Sequence, residues 1–381
     1  MDEFRPPFCA NPHCIHHSED PSEPYVQYVS WGSYETAAFG EVPRFRCTSC
    51  GKTFSVQTFR VDYWLKRVYD YRDLTERLCS CSSIRAIGRA YHVAGKSIQN
   101  RIGRGARQAL AFESRLSSLR HPDEDLVADG FESYCVSQFF PNNIHLLVGM
   151  DSQFVYESDH VTLRRKGRMT DSQRTKRKGL DYLFRPDPQG IRKSFTRITS
   201  SVLSILSDEG RPSITLWTDE KKEYARALAD SPCAAALLAE ARIVHKTISS
   251  RADRTRSNPL FSVNYLDREI RKDLHEHVRE TVCFGRNVNA QMERLTLYLF
   301  YHNYLKRHRT PNSVQSHARM AGYDEAEELK GLGSIWERRV WYTHTELTEC
   351  GEETWLRKRK TPLWDKPDYL PMHVALIAGK G

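Results

Sequence analysis

Leu126-Val127-Ala128-Asp129-Gly130-Phe131-Glu132-Ser133-Tyr134-Cys135-Val136 is the stretch on which the reading of this chain turns. Its apolar, β-branched and aromatic content predicts a strand. Two more strands are predicted at 144–151 and 154–160, with turns at Pro141-Asn142-Asn143 and at 151–153. Beyond them the pattern alternates: a helix at 191–206, a strand at 214–218 that ends on Asp219, helices near 220–228 and 234–240, a strand at 243–248, and a long helix from Asn264 to about His277. Between the third strand and the first helix lies a basic insertion, 161–190, which reads as a loop or arm and includes Arg164, Arg165, Lys166 and Arg168.

Three antiparallel strands followed by alternating helices and strands predict a ribonuclease-H-like α/β core over 121–310. In such a core the first and fourth strands are central neighbours, which places Asp129 and Asp219 at one site. Phosphodiester cleavage and strand transfer use two divalent ions, about 3.5–4 Å apart, to stabilise the attacking and leaving oxygens. Mg²⁺ or Mn²⁺ requires hard oxygen ligands, so carboxylates from separate elements must converge, and Asp129 and Asp219 are the candidate ligands.

Upstream, four of the ten cysteines form two close pairs, Cys9 with Cys14 and Cys47 with Cys50, the second followed by Gly51. Zn²⁺ takes four thiolate or imidazole ligands in a tetrahedron, and each pair supplies two corners from one turn. Short aromatic and β-branched stretches at 25–30 and 42–46 predict a zinc β-ribbon over 1–60, although His13, His16 or His17 could replace Cys14 as ligand. The other six cysteines (Cys79, Cys81, Cys135, Cys233, Cys283, Cys350) read as core thiols.

Residues 61–120 predict a helix-turn-helix domain. A first helix over 63–79 has apolar positions at Trp64, Leu65, Val68, Leu74 and Leu78, and Ser80-Cys81-Ser82-Ser83 offers an N-cap for a stripe of Ile84, Ile87 and Tyr91. The turn at 92–95 then leads into a helix whose polar face presents Lys96, Ser97, Gln99, Asn100, Arg101 and Arg104. These residue types suit base edges and phosphates in a major groove.

The net charge of +9 conceals strong segregation. Residues 41–120 hold sixteen basic and six acidic side chains, 121–160 hold eight acidic and no Lys or Arg, and 161–197 hold twelve basic and three acidic. An acidic block between basic blocks fits a cation-binding centre within surfaces built for a polyanion, here double-stranded DNA. No run of about 18 apolar residues is present and the acidic N-terminus lacks an apolar leader, so the reading is a cytoplasmic protein without a membrane partner. The organisation is multidomain α+β, closed by a C-terminal tail over 311–381.

With ribbon, helix-turn-helix, Asp129, Thr218-Asp219 and Tyr224 in order, the chain resembles the DDE transposases of bacterial insertion elements, of the insertion-sequence-one type. The likeness runs over most of 9–310. It is tightest at Ile270-Arg271-Lys272-Asp273-Leu274 and at Arg279-Glu280-Thr281-Val282-Cys283-Phe284-Gly285-Arg286. That resemblance implies strand cleavage and transfer at terminal inverted repeats, by a homo-oligomer, with Asp129 and Asp219 as the first two catalytic acids.

The third acid departs from the family pattern. Counted back from 279–284, the family's Glu position falls on Asn264, and its Asn three residues later falls on Asp267. On a helical wheel Asp267 lies within the arc of Leu266, Ile270, Leu274 and Val278, and Asn264 lies on its margin. Asp267 is therefore expected to supply the third charge with Asn264 as an oxygen-donating neighbour, while Arg268 and Arg271 meet phosphate. A DNA-binding regulator with an inactive core, and a nuclease that cuts without joining, are the alternatives the residues leave open.

Overall fold

The computed structural model describes residues 4–18, 25–117, 124–206, 213–278, 281–308, 315–371 and Val374. Arg279 and Glu280, which open the second segment of the family resemblance, lie outside the described residues. The chain is a mixed α/β, multidomain structure.

At the N-terminus β1 (Tyr28–Thr36), β2 (Gly40–Cys47) and β3 (Thr53–Ser55) form an antiparallel sheet in that order. Its one packed side is aromatic: Phe8, Tyr25, Phe45, Phe54 and Phe59 bury against Cys9, Cys14, Cys47 and Trp341, which arrives from near the far end of the chain.

Three helices follow: α1 (Tyr71–Leu78), α2 (Ile84–Ala90) and α3 (Gly95–Ser117). The first begins eight residues later than predicted. Asp70 caps it, accepting hydrogen bonds from the Arg72 and Asp73 amides at 2.9 and 3.0 Å. Trp64 instead takes a left-handed backbone angle, φ 58, and with Val68 lies exposed. Ser83 caps α2 through the Ala86 amide, as the sequence anticipates. Rather than a short recognition helix, α3 runs for 23 residues and buries Ile98, Ile102, Ala106, Ala109, Phe112 and Leu116.

The central sheet contains β4 (Leu126–Tyr134), β5 (Pro141–Gly149), β6 (Val155–Thr162), β7 (Ile214–Asp219) and β8 (Ile243–Ile248), in the spatial order β6-β5-β4-β7-β8. β5 runs antiparallel to both β4 and β6, and β7 and β8 run parallel to β4. Pro141-Asn142-Asn143 is not the first turn. It opens β5, paired with Tyr134, Ser133 and Glu132, and the chain reverses at 136–140. A proline is tolerated there because the first residue of a strand need not donate to the ladder.

The basic insertion is likewise not a loop. It contains α4 (Asp171–Leu183), started by a capping box between Thr170 and Gln173, and buries none of its side chains. Next come α5 (Gly190–Leu206), α6 (Lys222–Asp230) and α7 (Pro232–Ala239), and after β8, α8 (Phe261–Asp273). Strand alternation sends His145 toward Phe195 of α5 and Tyr224 of α6. Phe131, two residues from Asp129, meets Arg271 of α8 on the opposite face.

Buried α9 (Val288–Phe300) ends in a π-helical turn, Tyr301–Leu305. There Asn303 braces β6, its side chain accepting from the Val155 amide at 2.9 Å and donating to the Val155 carbonyl at 3.0 Å. The last helices are α10 (His317–Met320), α11 (Glu325–Ser334) and α12 (Glu349–Trp355).

The residues beyond 311 work as a strap. Arg107 of α3 donates to the Trp355 carbonyl at 2.8 Å, and the Val288 amide donates to Thr361 at 3.0 Å. Arg359 reaches Asp159 of β6 at 2.9 Å. Asp159 is wholly buried; burial alone would raise its pKa, but Arg359 and Arg197 outweigh it and hold the carboxyl at about 2.

Breaking such a pair strands a buried cation and costs about 3–5 kcal/mol, which is the expected loss for Asp159→Ala in urea unfolding. The folded-state pKa lies below the usual 3.8. The pair's contribution is therefore full above about pH 4 and is lost as the pH falls toward about 2. Asp159→Ala should accordingly flatten the acid limb of the stability profile.

Candidate active site and metal centre

Parallel pairing of β4 with β7 aligns Ala128 with Thr218, so Asp129 and Asp219 are the next residues on adjacent strands. The helix α8 crosses the same end of the sheet. Asp129, Asp219, Asn264 and Asp267 line one cleft of about 390 Å³, together with Glu132, Lys221, Arg254, Asn258 and Arg271. All four residues expected at the site are thus brought together. Arg271 also reaches the Glu132 carbonyl at 3.3 Å. Arg268 does not line the cleft; it is exposed on α8 beside Tyr265.

Local hydrogen bonds fix the two strand carboxylates. Asp129 Oδ1 accepts from the Gly130 amide at 2.7 Å, and Asp219 Oδ1 accepts from the Lys221 amide at 3.0 Å. The Lys221 ammonium sits 3.7 Å from Asp129 and 3.3 Å from Asp219. It also donates to the Tyr224 hydroxyl at 3.3 Å, and the Tyr224 ring is held by stacking on Phe195 at 4.2 Å.

Burial raises the Asp129 pKa against the pull of Lys221. Asp267 is pushed up to about 7, first by burial and then by the Asp129 charge, with Arg271, Arg254 and Lys221 opposing. Its Oδ1 is buried and has no hydrogen-bond partner among the described residues. The side-chain amide of Asn264 donates to the Leu260 carbonyl at 2.8 Å, one turn back on its own helix.

Lys221 and Arg254 are cleft residues that the sequence reading did not single out. Lys221 lies two positions after Asp219, where the strand-end geometry could have flagged it. Arg254 sits in the irregular 249–260 connection, which carries no periodic signal.

The residues expected on DNA divide into two groups. Lys96 is exposed at the start of α3, and Ser97, Asn100 and Arg101 are half-buried. Gln99 is turned inward, donating to Glu293 at 3.0 Å and accepting from Arg294 at 2.5 Å. Arg104 donates to the Val61 carbonyl at 2.8 Å and stacks on Tyr63 at 3.9 Å. These two side chains bind α3 to α9 and to the ribbon connection.

In the arm, Arg164 chelates Asp181 at 2.9 and 3.0 Å, and Arg165 donates to Gln138 at 2.5 Å. Both brace the arm against itself and the β4–β5 hairpin. Lys166 remains exposed.

At the N-terminus the Sγ atoms of Cys9, Cys14, Cys47 and Cys50 all lie within 4.8 Å of one another. Cys9 and Cys50 are 3.6 Å apart, and Cys14 and Cys47 3.9 Å. Four sulfurs about 2.3 Å from a tetrahedral zinc would stand about 3.8 Å apart. The cluster could therefore bind a structural zinc.

Gly51, at φ 70, closes the second knuckle, and the Cys50 amide donates to Cys47 Sγ at 3.5 Å. Burial opposes ionisation of Cys47, yet the Tyr25 hydroxyl and the knuckle amides bring its thiol down to about 6. Two of the three nearby histidines are engaged elsewhere: His16 bonds Ser49, and His17 donates to the Cys9 carbonyl. Of the other cysteines, Cys79, Cys135 and Cys350 are buried as expected, whereas Cys81 and Cys283 are exposed.

No family model and no curated protein matches the chain. Among solved structures it is similar to a chain in the cryo-EM structure of the simian T-cell lymphotropic virus intasome in complex with PP2A regulatory subunit B56 gamma. The identity is 16% and the TM-score 0.28, over 54% of this chain and 57% of that one. Among the described residues no helix is long and apolar enough to cross a membrane.

Proposed function

We propose that the chain is a transposase of the DDE type, which cuts DNA strands at the ends of a mobile element and joins them to a target. The observation that carries this reading is the convergence of Asp129, Asp219 and Asp267, from two adjacent parallel strands and a crossing helix, on one cleft. The strand order, three antiparallel strands followed by two parallel to the first, supports a ribonuclease-H-like core. The boundaries proposed for the parts are 1–60, 61–120, 121–310 and 311–381.

The three carboxylates, with the Asn264 amide oxygen beside them, would hold Mg²⁺ or Mn²⁺. The donors are hard oxygens, and the buried Oδ1 of Asp267, without a hydrogen-bond partner among the described residues, is an atom for which a cation is the natural partner. When bound, the ions supply Lewis acidity and activate the attacking oxygen in phosphodiester displacement. Arg254 and Arg271 line the same cleft and position the phosphates of the reacting strand. Lys221, held at Tyr224, neutralises the two strand aspartates until substrate and metal enter.

The ribbon and the exposed start of α3 grip double-stranded element ends, through Lys96, Ser97, Asn100 and Arg101. A homo-oligomer would hold two ends at once.

The test uses the purified full chain with labelled DNA taken from the sequences flanking its gene. Metal-dependent nicking, followed by joining to a second DNA, is the expected result. Salt-sensitive binding without cleavage under either metal would make the chain a DNA-binding regulator, and cutting without joining would make it a nuclease.

A prediction for recognition follows from the placement of α3. Lys96→Ala should weaken duplex binding across all sequences and reduce the slope of log K against log salt by about 1. Asn100→Ala should instead relax sequence preference, by roughly 1–3 kcal/mol at one base pair. Both are read by fluorescence anisotropy over a salt series.

A further inference from the structure

The arm between β6 and α5 holds a second cleft, which shares no lining residue with the carboxylate cleft. Residues 164–185 carry nine basic and two acidic side chains. Near the end of α4, Tyr182 is 93% exposed and Leu183 73%. Arg164, Lys178, Asp181, Tyr182 and Arg185 line an opening of about 380 Å³.

Its one carboxylate is already taken. The bidentate Arg164 holds the Asp181 carboxyl below its ordinary range. Lys178 and Arg185 form no ion pair among the described residues. The opening therefore presents one aromatic face and two cations that form no ion pair among the described residues.

Its place in the fold is equally specific. Thr162, where β6 ends, lies across β5 from Ser133 of β4. The arm thus leaves the sheet at the end where β4 and β7 finish, the end that carries Asp219. Phe184 packs edge-on against Phe140 at 5.6 Å and pins α4 to the β4–β5 hairpin. Along β4, five residues separate Asp129 from Tyr134, about 17 Å at the usual strand rise.

We infer that this cleft receives an unpaired nucleotide of a DNA strand, its base stacked on Tyr182 and its flanking phosphates held by Lys178 and Arg185. Aromatic faces set among cations bind single strands without regard to sequence, whereas the bases of an intact duplex are stacked on one another and offer no free face. Strand breakage a few nucleotides away is a source of such unpaired bases. The inference rests on the proposed DNA-processing role and deepens it by assigning the arm to single-stranded DNA.

The experiment irradiates the full chain, without added Mg²⁺, in the presence of a short single strand containing 5-bromodeoxyuridine, and maps the crosslinked peptide by mass spectrometry. A crosslink at Tyr182, absent with the matching duplex, is expected. Tyr182→Ala should lower affinity for oligothymidylate about ten-fold, and Tyr182→Phe should retain it. The double change Lys178→Ala with Arg185→Ala should reduce the single-strand salt slope by about 1.4.

Tyr182 is so exposed that its replacement does not threaten the fold. Crosslinks confined to other segments, unchanged affinity in Tyr182→Ala, or equal competition by thymidine monophosphate would each overturn the inference. Binding here without any Mg²⁺-dependent cleavage would defeat the transposase reading and leave this one standing.

Discussion

Asp129→Asn is expected to abolish Mg²⁺-dependent nicking while leaving duplex binding and thermal stability close to those of the parent chain. The carboxylate is central because it stands on β4 beside Asp219 of β7 and is coupled through its charge to Asp267 of α8. On the proposed metal-holding role, removing this charge forfeits several kcal/mol of transition-state stabilisation, on the order of a thousand-fold in rate. Stability should hold because burial already disfavours the charged form of Asp129, so a neutral isostere relieves as much as it removes. Asp267→Asn should show the same loss, and Asn264→Ala less than about ten-fold, since Asn264 brings no charge. The measurement is single-turnover cleavage of a labelled DNA end over a Mn²⁺ series, beside a melting curve for each variant. Cleavage by Asp129→Asn at the parent rate would remove the cleft from the mechanism.

How far this cleft could be read in advance depended on which part of the chain carried each residue. Asp129 and Asp219 stand on regular strands whose order follows from element succession, so their adjacency was legible. Asn264 and Asp267 are one helical turn apart, and both reach the cleft. Arg254 was not legible because the 249–260 connection has no repeat to orient it.

Gln99 and Arg104 failed for a different reason. A wheel drawn over seven residues marks them as polar and therefore outward, but α3 continues to Ser117 and is covered by α9. Gln99 and Arg104 are half-buried there and satisfied by Glu293, Arg294 and the Val61 carbonyl. Pattern reports polarity, and only the neighbouring layer decides whether polarity faces water.

The same distinction runs through the fold. Elements with a strong repeat, β7, β8 and α5, lie within a residue of the positions their sequences predict. Errors gather where a single residue overrides the repeat: Asp70 capping a helix that the apolar positions would have begun earlier, and Pro141 opening a strand instead of turning. The tail gave no repeat at all. It is held by individual contacts, such as Arg107 to the Trp355 carbonyl and Arg359 to Asp159, which join residues some 200 or more positions apart.

That strap makes the effect of zinc loss wider than the ribbon itself. Changing Cys47 and Cys50 to Ser should reduce zinc from one per chain to none by elemental analysis, and should unfold the ribbon. A three-stranded sheet with one small aromatic cluster is below the size at which burial alone sustains a fold, and structural zinc contributes roughly 10–16 kcal/mol in small domains. The ribbon cluster includes Trp341. Next to it Arg339 stacks on Trp341 at 3.8 Å and on Tyr63 at 4.0 Å, and its amide donates to the Phe59 carbonyl at 2.8 Å. When the ribbon melts, those partners go with it, so the 338–345 segment should become a site of proteolytic cleavage in the double variant and stay protected in the parent. The central sheet has its own core around Phe131, Phe154, Phe195 and Tyr224, so its unfolding transition should persist in calorimetry. Loss of that transition together with the zinc would mean that ribbon and sheet fold as one cooperative unit.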